Sequence, residues 1–165
     1  MTSESGPSAS EAWRLAFEGH YRAMLRLAVL LTGSREVAED LVHDTFLRTA
    51  DRMAALSPED MWPYLRRSLI NRWKNTRRRQ SIERRLQSSS PQDPDVTGDA
   101  IDDRDMLWRA MRVLSPRQRA CLILRYYEDL TERETADVLR CSVGSVKSHT
   151  SRGVARLRRE VHYEY

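Results

Sequence analysis

The chain has 165 residues, with 28 Lys and Arg against 24 Asp and Glu, a formal net charge of +4 and a pI near 9.4. Apolar residues make up 40% and aromatics 7%, which suits two small helical cores better than one large core, because a small helical unit needs mainly a stripe of Leu, Ala and Val. No apolar run approaches the roughly 18 residues of a membrane span and no signal-like stretch opens the chain, so a cytoplasmic protein without a membrane partner is expected.

Met1 to Ala9 is rich in Ser, Gly and Pro and reads as a tail, taken as residues 1–10. Ser8 with Glu11 is a capping-box pattern that opens a first helix. Phe17, Tyr21, Met24, Ala28 and Leu31 follow at helical spacing, and Gly33 is placed to stop the helix. Ser34 caps a second helix with the stripe Ala38, Leu41, Val42, Thr45 and Phe46. Ser57-Pro58 is an N-cap followed by a first-turn proline, but Pro63 disfavours helix at the residue before it, so a third helix is expected from Tyr64 to about Arg79. Its buried face would be Leu65, Leu69 and Trp73.

Charge is segregated along the third helix and past its end. From Trp62 to Arg85 there are nine bases and one acid, Glu83; from Leu86 to Asp103 there are five acids and no base. A pattern of this kind points to a polyanionic partner. The acidic stretch also has Ser, Pro and Gly without periodicity and reads as a linker over residues 86–103. Beyond it, Met106, Leu107, Met111 and Leu114 form a further stripe. Ser115-Pro116 with Gln118 opens a helix through Leu122, Ile123 and Tyr126, Thr131 with Glu134 opens a short helix ending near Arg140, and Ser142 opens a last long helix to about Glu160. No segment alternates as a strand does. The fold class expected is all-α, with two small helical domains at 11–85 and 104–162 joined by the acidic linker.

The segment from Thr131 to Glu160 has a capped short helix, a three- to four-residue turn and a longer basic helix, the helix-turn-helix pattern. On a helical wheel Val143, Val146, Thr150, Val154 and Leu157 take one side of the last helix. Ser145, Ser148, Arg152, Arg156 and Arg159 take the other, with Lys147 and His149 flanking it. Small polar residues first and arginines after suit an N-terminal end that enters the major groove, with arginines reaching phosphates or guanine edges. Arg140 stands where glycine is common in such a turn. On the third helix Tyr64, Arg67, Asn71, Lys74, Asn75 and Arg78 share a face. Phosphate contacts need only cations; amides and an aromatic ring suit exposed base edges and stacking on unpaired bases.

The stretches FEGHYRAMLRLAVLLTGSREVAEDLVHDTFLRTADR and YLRRSLINRWKNTRRR, followed by the helix-turn-helix, resemble the extracytoplasmic-function (group 4) sigma factors, and in particular the actinobacterial SigE type, over about residues 11–160. The segments AEDLVHDTFLR and SVGSVKS are the most specific pieces. The resemblance implies a first domain, sigma region 2, that binds core RNA polymerase and captures the melted −10 element. It implies a second, sigma region 4, that reads the −35 element. The polymerase contact to the clamp helices falls on Asp40, Leu41, Asp44 and Leu47. The −10 contact falls on the loop around Ser57 to Met61 and on Tyr64, Asn71 and Asn75, with Arg67 and Lys74 on the same face. The −35 contact falls on Ser145, Lys147, Ser148 and Arg152, with Arg156 beyond them. The partners implied are core polymerase (clamp helices and flap) and promoter DNA, with room for an anti-sigma factor. The five linker carboxylates would mimic nascent RNA in the polymerase channel, or rest on the basic helix when polymerase is absent.

Two other classes compete. A stand-alone helix-turn-helix repressor or activator needs only the C-terminal motif and should bind its site alone, usually as a dimer on a palindrome. An enzyme finds little support. His20, His43, His149 and His162 are scattered without ligand partners, Cys121 and Cys141 form no metal spacing, and no phosphate loop or nucleophile elbow is present. No metal, cofactor or catalytic residue is expected.

Overall fold

The computed structural model describes residues 8–87 and 110–163, and these are helical with no strand among them. The N-terminal part contains α1 (Ala9–Thr32), α2 (Arg35–Met53) and α3 (Pro58–Gln87). The C-terminal part contains α4 (Pro116–Leu122), a π-helical turn (Ile123–Tyr127), α5 (Glu132–Leu139) and α6 (Val143–Tyr163).

Local chemistry sets the boundaries. Ser8 accepts from the Glu11 amide, so α1 begins at Ala9, inside the expected tail. Gly33 takes a left-handed φ of 73° and returns its amide to the Val29 carbonyl, ending α1 where only glycine is free of strain. Ser34 caps α2, and the expected stripe Ala38, Leu41, Val42, Thr45 and Phe46 is buried. The Thr45 hydroxyl satisfies itself on the Leu41 carbonyl at 2.7 Å.

The third helix is longer than expected at both ends. It starts at Pro58, where Ser57 and Asp60 exchange hydrogen bonds, and it passes through Pro63 without a break. Pro63 forfeits one hydrogen bond near the exposed first turns, where water can take the freed carbonyl. Met61 and Leu65 on either side are held in the core. At the far end α3 reaches Gln87, eight residues past Arg79, with Gln80, Ser81, Ile82, Glu83, Arg85 and Leu86 exposed. Leu86 and Gln87 of the expected linker are therefore helical. The rest of the linker, its five aspartates, and Met106 and Leu107 lie outside the described residues.

In the C-terminal part both capping boxes are complete, Ser115 with Gln118 and Thr131 with Glu134. The helix expected through Tyr126 is there, but its last turn is π-helical and Tyr126 is 66% exposed. The chain slips from α- to π-helical winding at Ile123. The Glu128 amide then bonds the Ile123 carbonyl, one residue further than an α-helix allows. Gly153 marks the closest approach of α6 to α4, since a Cβ there would meet Leu122 Cδ1 at 3.0 Å.

The two parts share one core. Leu27, Leu31, Leu65 and Leu69 belong to the same buried cluster as Leu122, Leu124 and Leu130. Arg119, only 2% exposed, crosses the junction. Its guanidinium donates to the carbonyls of Met111 (3.2 Å), Leu114 (3.5 Å) and Leu31 (3.4 Å), the last lying at the C-terminal end of α1, where a cation is favoured. Burial, with Arg77 and Arg112 nearby, pushes Arg119 down to about 10, so it remains charged near neutral pH. Arg119→Met removes the donor from three carbonyls at once. It should lower stability by about 2–4 kcal/mol in chemical denaturation, whereas a loss below about 0.5 kcal/mol would show that these bonds are replaced by water.

Candidate nucleic-acid and polymerase interfaces

The C-terminal interface is built on the turn between α5 and α6. Arg140 occupies the left-handed region (φ 53°, ψ 56°), the conformation that glycine adopts without cost. Ala136 and Val146 pack between the helices with Cys121. The Thr135 and Thr150 hydroxyls, one on each helix, are buried without a hydrogen-bond partner. Thr150 thus takes a core position with a polar group. Ser142 opens α6, accepting from the Ser145 amide at 3.1 Å and pairing with the Ser145 hydroxyl at 2.9 Å.

The predicted outward face of α6 is outward. Lys147, Arg152 and Arg156 are exposed, and Ser145 and Ser148 are partly so. Lys147 reaches Glu132 of α5 at 3.6 Å, an exposed pair that a phosphate can replace. Arg152, Arg156 and Arg159 line a groove of about 530 Å³ together with Gln118 and Glu160. The sequence marks Gln118 only as a cap residue; its place beside the arginines depends on α4 packing along α6, which no local pattern carries. Burial, then Arg117 and Arg152, hold His149 below its usual value and disfavour its charged form.

On α3, Arg67 and Asn75 are exposed, and Tyr64, Asn71 and Lys74 are half-buried. The opposite face, Leu65, Leu69 and Trp73, is in the core as expected, joined by Ile70. Lys74 is not free: its ammonium donates to the Leu139 carbonyl at the end of α5. Of the expected loop at Ser57 to Met61, the residues from Pro58 on are instead the first turn of α3, and Met61 is buried.

On α2, Asp40 and Leu47 are exposed, Leu47 by 70%, whereas Leu41 is in the core at 8%. Asp44 lies between them and is held by Arg48 at 3.0 Å and by Arg72 of α3. The surface offered by α2 is therefore Asp40, Asp44 and Leu47, with Leu41 beneath it. His43 stacks beside Tyr21 and Phe17. Among the described residues no group of three or more His, Cys, Asp or Glu is placed to hold a metal, and no helix is long and apolar enough to cross a membrane.

Comparison with known proteins gives the family. The family described as sigma-70 region 2 matches residues 16–82, and that described as sigma-70, region 4 matches residues 104–157. The RNA polymerase sigma-E factor of Streptomyces coelicolor is 34% identical over 155 residues, 89% of this chain and 86% of that protein. The chain belongs to the extracytoplasmic-function family of RNA polymerase sigma factors. The sigma factor SigL of Mycobacterium tuberculosis is 30% identical over 168 residues, 96% of this chain and 94% of that protein. The fold is shared with the sigma factor RpoE of Bartonella quintana, solved with the anti-sigma factor NepR, at a TM-score of 0.72 and 21% identity, covering 93% of this chain and 98% of that one. As an extracytoplasmic-function sigma factor the chain is an alternative sigma factor for transcription initiation, a regulator of transcription with a DNA-binding region 4.

The α5 cap of this sigma factor carries a pH dependence. Hydrogen bonds from the Thr131 hydroxyl and amide hold the Glu134 carboxyl below its ordinary 4.5. A carboxyl depressed in the folded state contributes stability that is present above 4.5 and is lost as pH falls through its folded value. Glu134→Gln keeps an acceptor but cannot titrate. Urea midpoints compared at pH 7 and pH 3.5 should fall less for this variant than for the parent chain, and an equal fall in both would contradict the assignment.

Proposed function

We propose that this sigma factor binds the clamp helices of core RNA polymerase through α2 and recognises promoters with two chemically different helices. In this reading residues 11–85 act as region 2, residues 86–103 as linker and residues 104–162 as region 4, which also meets the polymerase flap. Asp40, Asp44 and Leu47 form the clamp contact, an exposed apolar side chain flanked by carboxylates, with Leu41 anchoring it from the core. Tyr64, Arg67, Asn71, Lys74 and Asn75 take the melted −10 strand, where unpaired bases offer edges and faces to amides and a ring. Ser145, Lys147, Ser148, Arg152 and Arg156 take the −35 duplex. The protein works in the cytoplasm, where polymerase and DNA are, and involves no catalysis of its own.

The observation that carries this reading is the exposed face of α6. Its capped N-terminal end presents short polar side chains, and a groove lined by three arginines follows. An anti-sigma factor as a further partner is supported by the Bartonella quintana sigma factor, whose solved complex contains one.

Two substitutions separate the two interfaces. Leu47→Glu should weaken binding to core polymerase at least tenfold in fluorescence anisotropy while leaving helix content unchanged, because it puts a charge into the centre of a dry contact. Arg156→Ala should leave core binding intact, lower the affinity of the holoenzyme for −35 duplex across sequences, and reduce the slope of log K against log salt by about one. Core binding unaffected by Leu47→Glu would remove α2 from the polymerase interface.

A further inference from the structure

The carboxylate of Asp44 is held from two helices at once. Its Oδ1 takes Arg48 Nε of α2 at 3.0 Å, and its Oδ2 takes Arg72 Nη2 of α3. Asp44 stands in the α2 face assigned to the polymerase, between exposed Asp40 and exposed Leu47, whereas Arg72 belongs to a helix outside that face. We propose that Arg72 is a positioning residue of the polymerase interface. It fixes the Asp44 carboxylate in one direction and supplies the charge that lets this carboxylate be enclosed against the partner. The proposal rests on the assignment of α2 to the polymerase.

The core fixes the backbone on both sides of this bridge. Thr45 and Phe46 follow Asp44 and are fully buried, and Leu69 and Trp73 bury the adjoining turns of α3. Asp44 and Arg72 stand at the solvent edge of that seam, their side chains 41% and 29% exposed. Arg48 is a different kind of partner. It is 65% exposed and sits four residues along the same helix, so it can follow the carboxylate through more than one rotamer. Arg72 reaches Asp44 from another helix, and that direction selects one rotamer.

Stability does not account for Arg72. A half-exposed ion pair contributes little net stability. Arg72 Nε is also buried with no hydrogen-bond partner, which leaves a donor of a charged group unsatisfied. An apolar side chain would fill the seam without that cost. Docking does account for it. A carboxylate enclosed in an interface loses its hydration, and fixed cations or donors must offset the loss. Arg48 and Arg72 already hold Asp44, one on each oxygen. An ionised carboxylate has about four acceptor sites, so lone pairs remain for a donor of the partner.

A double-mutant cycle on the full chain tests this, read as affinity for core RNA polymerase in fluorescence anisotropy. Helix content by circular dichroism is matched first, so that loss of fold is not read as loss of docking. Arg72→Gln takes the place of Arg72→Ala if the alanine variant is less helical. Arg72→Ala should weaken core binding at least about fivefold, and Arg72→Lys, which keeps the cation, should recover part of it. Asp44→Ala should weaken binding by at least as much. Adding Arg72→Ala to Asp44→Ala should then change the affinity by less than about twofold, because Arg72 acts only through that carboxylate. Losses that add in the double variant overturn the positioning role. Core binding by Arg72→Ala that equals or exceeds the parent's also overturns it, and leaves Arg72 a brace between helices or a competitor for Asp44. Leu47→Glu in the same assay separates the two readings. If it weakens binding while Arg72→Ala does not, only the positioning role falls; if neither does, α2 is not the docking helix and both fall.

Discussion

Everything in this chain depends on a shortage of apolar surface. A three-helix unit and a helix-turn-helix unit of this size each bury little on their own. The structure meets the shortage by merging them: Leu27, Leu31, Leu65 and Leu69 of one part and Leu122, Leu124 and Leu130 of the other belong to one cluster. Arg119 is carried into that junction, where a cation without a carboxylate is held by carbonyls at a helix end. The merging leaves exposed the Asp40, Asp44 and Leu47 side of α2, part of α3, and the outer face of α6.

The two helices proposed to face DNA differ in the chemistry they offer. α6 offers small hydroxyls at its capped end and arginines beyond, a surface for a groove with intact base pairs. α3 offers amides and a ring among cations, a surface for bases that have lost their partners. The first is open in the structure. The second is partly covered, because Lys74 is drawn to the end of α5. The Lys74 contact is polar, and it adds to the apolar cluster that α3 shares with the C-terminal part through Leu65 and Leu69.

Features governed by neighbours in sequence were legible before the structure. The caps at Ser34, Ser115 and Thr131 and the stop at Gly33 depend on side chains within a few residues, and each stands where the pattern placed it. The stripe on α2 and the outward face of α6 follow from helical periodicity alone. Features decided at a distance were not legible. Pro63 continues a helix because Met61 and Leu65 are pinned in the core. The change of winding at Ile123 has no local signal in the sequence. Leu41, named with a contact surface, lies beneath it. Glu128 carries no signal in the sequence, since its partner Arg66 is 62 residues away along the chain.

The most direct measurement is transcription itself. Purified chain added to core RNA polymerase on genomic DNA, with the 5′ ends of the transcripts sequenced, should yield new starts. Those starts should share one upstream motif near −35 and another near −10. A set of starts indistinguishable from core polymerase alone would contradict the assignment of these helices to promoter recognition.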